Sequence, residues 1–231
     1  MWLRTSLVAF AVLASTSAFA EGPRLADLKD VDVSAFAQEL MRQSAEDREV
    51  KISLWLPGTY WRVSAAKSSG LTEDGMRRVE EALSPYLLLA VASGEVGPFG
   101  GVSWASEGRM RETVTVIDAK GAVIAPLSPD GVSADAQNLR GMLRPIFTGM
   151  LGPLGENLHL LFFPAESPDG APLGDATREG SFAVHIGESR FDYRLPLSVL
   201  LKPRRCPIDD EAFSGAWKFC PFHGQELKPA D

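Results

Sequence analysis

Cysteine and histidine are scarce in this chain of 231 residues, with two of the first and three of the second. Basic side chains are outnumbered too: 23 lysines and arginines face 30 aspartates and glutamates, a net charge of −7. That balance argues against nucleic acid or anionic membrane as a partner. Beyond the first twenty residues no apolar run is long enough to span a bilayer. No glycine-rich fingerprint opens a helix. Gly97-Pro98-Phe99-Gly100-Gly101 lacks the Gly-Lys-Ser/Thr ending of a phosphate loop, and strands are not separated regularly by long helices, which disfavours a dinucleotide-binding sheet. The cysteines stand fourteen residues apart rather than two, so they do not read as an exchanging redox pair.

What is present begins with a basic start, Met1-Trp2-Leu3-Arg4, an apolar stretch from Leu7 to Leu13, and small residues before Glu21. This is the pattern of a secretory signal peptide over residues 1–20, cut after Ala20. The remainder is expected to be soluble, and periplasmic or secreted. It divides into a main domain, 21–201, and a cysteine-containing tail, 202–231. Two stretches of the main domain, about 49–125 and 133–195, could each form a sub-domain with a helix and a sheet.

Periodicity supplies the elements. Phe36, Ala37, Leu40 and Met41 follow Ser34 at helical spacing. Thr72 can cap a helix with Met76, Val79 and Leu83 on one face. Ser133 can cap another, carrying Leu139, Met142, Leu143 and Ile146, with Pro145 as a kink or an early end. Strands are expected at 50–56, over the alternating Glu112, Val114 and Val116 up to the turn at Asp118, at 122–125, and over the apolar runs Tyr86–Ala92 and Leu158–Phe163. Phe182, Val184 and Ile186 alternate before Gly187, and Phe191, Tyr193 and Leu195 after it, predicting a hairpin. The fold class is therefore α+β, with a mixed or largely antiparallel sheet and two to three helices. Residues 94–108 read as a broad glycine-containing loop, on which Trp104 and Arg109 are candidate ligand-binding residues.

The tail carries both cysteines in the same frame, Cys206-Pro207-Ile208-Asp209 and Cys220-Pro221-Phe222-His223. Two donors three residues apart on a tight turn can face one ion, and two thiolates, an imidazole and a carboxylate complete a tetrahedral set for Zn²⁺. Lys202, Arg204 and Arg205 beside Cys206 favour its thiolate. In an oxidising compartment the same two cysteines can instead close a disulfide, and the two states exclude each other. The run Trp217-Lys218-Phe219-Cys220-Pro221-Phe222-His223-Gly224 through Leu227 resembles the second knuckle of a zinc ribbon. The resemblance implies Cys220 and His223 as one ligand pair, and Cys206 with Asp209, where a cysteine is usual, as the other. It covers about 20 residues and leaves the main domain unassigned.

Three functions stay open on these residues. The first is an exported non-catalytic binding or assembly protein, with a protein or small molecule as partner, no cofactor, and the tail as a disulfide staple. The second is a periplasmic protein that binds zinc or copper through Cys206, Cys220 and His223. The third is a secreted hydrolase using His159, or His185 with Asp192, although no serine or cysteine is placed by the sequence to complete a triad.

Overall fold

The computed structural model describes residues 24–44, 48–67 and 72–230. The expected signal segment, 1–20, lies outside them. Among the described residues the first helix, α1 (Val33–Leu40), starts where the Asp32 carboxylate accepts the Ala35 N–H at 2.7 Å, and it runs directly into strand β1 (Met41–Gln43). Then come β2 (Glu49–Trp55), α2 (Gly58–Lys67), α3 (Glu73–Leu83), β3 (Tyr86–Val96), β4 (Val102–Trp104), α4 (Glu107–Thr113), β5 (Val114–Ile117) and β6 (Val123–Ile124). The second half supplies α5 (Ala134–Leu151), α6 (Pro153–Glu156), β7 (His159–Pro164), β8 (Gly180–Ile186) and β9 (Ser189–Leu195). The tail supplies β10 (Arg204–Arg205), β11 (Ala212–Phe213) and β12 (Lys228–Pro229).

Among the described residues six α-helices replace the two or three helices expected. Pro57-Gly58 leads into α2, whose single buried residue, Val63, leaves too narrow an apolar stripe to register as helical. The segment 94–108, read as a broad loop, instead holds the end of β3, the short strand β4 and the start of α4, which the Ser106 hydroxyl caps by accepting the Arg109 N–H at 3.3 Å. Helix α6 is a single turn wedged against α5. A Cβ on Gly155 would fall 1.9 Å from the Phe147 carbonyl oxygen, so only glycine permits that approach.

All strand pairing among the described residues is antiparallel. The long β3 is central to one sheet: β2 flanks it on one side, with β1 beyond, while β7 and β4 share its other edge. The second sheet runs β6-β5-β8-β9. Strands from the stretches 49–125 and 133–195 thus pair with one another in both sheets, β3 with β7 and β5 with β8.

Burial on both faces explains the continuously apolar runs. Leu87, Leu89 and Val91 of β3, with Leu161 and Phe163 of β7, face a core shared with Val114, Val116, Phe182, Val184 and Tyr193 of the second sheet. The alternate residues Leu88, Ala90, Ala92, Leu160 and Phe162 face Leu83 of α3 and Ala136 and Leu143 of α5. Each fully buried large aliphatic or aromatic side chain contributes about 1.5–3 kcal/mol, so these two apolar layers hold helices, sheet and sheet together.

The interior also holds polar groups, Ser53 and the Tyr193 hydroxyl among them. The Tyr193 hydroxyl lies 2.9 Å from Ser53 O, 3.2 Å from Leu40 O and 3.0 Å from Ser53 Oγ, tying β9 to β2 and α1. Its ring stacks on Phe182 at 4.7 Å and carries the Arg42 guanidinium 4.8 Å above it. Burial, opposed by the Ser53 hydrogen bond and Arg42, leaves this phenol pushed up to about 12. The native state therefore holds the proton more tightly than the unfolded chain. The resulting stabilisation is full below pH ~10 and is lost as pH rises through the folded value, by up to about 3 kcal/mol. Urea melts between pH 8 and 12 should show this loss and should show a flatter profile for Tyr193→Phe, itself weaker near neutrality by about 1–2 kcal/mol. Equal alkaline losses in both proteins would contradict the assignment.

Candidate metal centre

The two halves of the tail fold alike. In the first, the Cys206 N–H donates to Glu211 O at 2.9 Å and the Asp210 N–H to Cys206 O at 3.0 Å; in the second, Cys220 N–H donates to Gln225 O at 2.8 Å and Gly224 N–H to Cys220 O at 2.9 Å. Each half is a short hairpin with a knuckle at its tip, and the second is the first displaced by fourteen residues. The fourth residue after each cysteine needs a left-handed backbone. Gly224 takes it at φ 65°, and Asp210, at φ 60°, is the one non-glycine residue with positive φ among those described. Arg205 offsets that strain by gripping Asp210 at its carbonyl oxygen (2.9 Å) and carboxylate (2.8 Å). Its guanidinium is thus engaged in holding the turn, rather than serving only as a neighbouring charge for Cys206.

These knuckles aim their donors at one point. Cys206 Sγ and Cys220 Sγ lie 3.4 and 3.5 Å from His223 Nδ1, and the two sulfurs are 3.6 Å apart. Asp209 Oδ2 stands 3.7 Å from the same nitrogen. A zinc tetrahedron with Zn–S of ~2.3 Å and Zn–N of ~2.0 Å has S···S edges of ~3.8 Å and S···N edges of ~3.5 Å. The residues present fit the ion. The disulfide reading is overturned by the same geometry, because bonded sulfurs lie ~2.05 Å apart and both cysteines are free thiols. The physical reason lies in the knuckles, which point each sulfur at the His223 ring instead of pressing one against the other.

Local electrostatics differ between the thiols. Burial pushes the Cys206 thiol above its ordinary range. At Cys220 burial acts the same way, but the N–H groups of His223 and Phe222, with the His223 ring and the Cys206 thiol, together bring it below. The Glu211 N–H, with the Cys206 thiol, holds the Asp209 carboxyl below the usual carboxylate range. Both sulfurs are buried with Leu227 in a core of their own, flanked by Phe213. His223 and Asp209 keep 36% and 40% of their side chains exposed, so the centre opens to solvent on its nitrogen and oxygen side.

The other sequence-nominated residues fall elsewhere. Trp104 and Arg109 line one cavity of about 400 Å³ with Lys51, Ser93 and Met110. The Trp104 ring packs where a Cβ of Gly94 would sit, 2.8 Å from it, and Arg109 pairs loosely with Glu112 at 3.5 Å. His159 Nε2 is within 2.9 Å of Ala105 O, a structural contact. In β9 Asp192 is opposite Ala183 rather than His185, and its carboxylate accepts from Arg190 at 2.9 Å. The grip of Arg205 on Asp210 and the close approach at Gly215 escaped the sequence reading.

Comparison with protein-family models, curated proteins and solved structures finds no match to the chain. The main domain belongs to no recognised family, and the Cys206, Cys220 and His223 cluster has the character of a degenerate metal-binding knuckle. No helix among the described residues is long and apolar enough to cross a membrane.

Proposed function

We propose that the chain is an exported zinc-binding protein that carries its metal in the tail. Cys206, Cys220 and His223 form three arms of the site, with Asp209 as a weaker fourth. The observation that supports this most is the set of donor separations, 3.4, 3.5 and 3.6 Å, at the edge lengths of a zinc tetrahedron. The carboxylate favours zinc over Cu(I), which prefers soft ligands alone. Bound zinc would supply a +2 charge that stabilises both thiolates and locks the knuckles together. The exposed imidazole and carboxylate give a competing ligand access, which suits a site that loads and unloads. Export is supported by the pattern of residues 1–20.

Native mass spectrometry of the purified chain checks both parts. The expected species begins at Glu21 and carries one zinc. His223→Ala should weaken zinc on the order of 10²-fold in chelator competition, and Asp209→Asn on the order of 10-fold. A chain that takes up no stoichiometric zinc, or a His223→Ala variant that binds as tightly as the parent, would remove the proposal.

A further inference from the structure

A second site is suggested between α5 and the start of β7. Glu107, Gln137, Arg140, Arg144 and His159 line a cavity of about 150 Å³ there. Its charges do not balance. Glu107 Oε1 accepts from Arg140 at 3.2 Å and from Arg111 at 3.1 Å, so one carboxylate oxygen serves two guanidinium groups. Arg144, one helical turn beyond Arg140, has no ion pair or hydrogen bond among the described residues. Three guanidinium groups around one carboxylate leave two positive charges in excess, in a chain whose net charge is −7.

We infer that this cavity binds a small oxyanion of the phosphate class, held chiefly by Arg140 and Arg144. Residues four apart on α5 are ~6 Å apart along its axis, and guanidinium forks match the oxygens of phosphate. Between them Gly141 leaves the floor open: a Cβ there would meet nothing within 4 Å. His159 forms part of the facing wall; its Nε2 is turned to Ala105 O, so that nitrogen is not offered to the anion. The volume suits an ion or one phosphoryl group, since sites for drug-sized ligands run to ~300–1,000 Å³.

Isothermal titration of the full chain with inorganic phosphate at low ionic strength tests this. Arg144→Gln should weaken binding about 10-fold or more, and Gly141→Leu, which fills the cavity without changing charge, should do the same. Arg178→Gln, an exposed arginine on another cavity, should leave it unchanged. All three variants keep the zinc ligands, so a difference between them reports on α5 and not on phosphate bound to metal. No saturable heat up to about 10 mM phosphate, equal loss in Arg178→Gln, or acetate binding as tightly as phosphate would each overturn the inference.

Discussion

Replacing Cys220 by serine should abolish stoichiometric zinc binding and unfold the tail while the two-sheet domain stays folded. The tail is too small to hold itself. Its buried side chains are Cys206, Cys220 and Leu227, with Phe213 packed against them. Burial of so few groups contributes a handful of kcal/mol at about 1.5–3 each, whereas ordering each residue costs about 1–2 kcal/mol. Metal coordination, with apparent free energies of ~10–16 kcal/mol in small zinc peptides, is of the size needed. A serine hydroxyl does not deprotonate as a thiol does and is a poor zinc donor, so the affinity should fall on the order of 10³-fold or more. Hydrogen exchange reads the result: the amides of Cys206, Asp210, Cys220 and Gly224, all bonded within the knuckles, should lose protection in Cys220→Ser and in the chelated parent. Amides of β3 should keep theirs. Full knuckle protection in the variant would mean that the tail folds without its metal.

The second large effect is expected at Gly215. A Cβ there would lie 2.2 Å from Lys202 O and 2.6 Å from Leu201 Cβ, contacts that backbone cannot relieve by a rotamer change. Gly215→Ala should therefore push the chain after β11 off the segment that joins tail to domain, at a cost of about 2–3 kcal/mol. Trp217, stacked on Phe213 at 5.8 Å, follows two residues later, and its fluorescence should report the displacement. Because Gly215 touches no donor, zinc affinity should change far less than in Cys220→Ser. A variant with unchanged thermal stability and unchanged Trp217 emission would show that the close approach is not needed.

The sequence is legible where a pattern has one physical meaning. Alternation in 182–186 and 191–195 can be satisfied only by a half-buried hairpin, and β8 and β9 form it. The Cys-Pro-x-donor frames required two similar turns, and the backbone bonds of the two knuckles repeat at a spacing of fourteen residues. Other elements carry weak local signals. Helix α2 buries a single residue, and α4 begins at Ser106 inside a glycine-containing stretch, so neither has a stripe to read; their helical state is set by what they pack against. Tyr86–Ala92 is apolar without alternation, a pattern that local sequence alone does not restrict to a strand, and its pairing with β2 and β7 fixes it as one. At the metal centre the choice between disulfide and coordination depended on where the sulfurs point. That direction comes from the left-handed residues Asp210 and Gly224, and an aspartate signals that conformation far less strongly than a glycine does.

X-ray absorption at the zinc edge, on the full chain loaded with one equivalent of zinc, reads the donor atoms themselves. A four-coordinate shell of two sulfurs at ~2.3 Å and two nitrogen or oxygen atoms at ~2.0–2.1 Å is expected. A shell of nitrogen and oxygen alone would place the metal elsewhere and contradict the assignment of Cys206, Cys220 and His223.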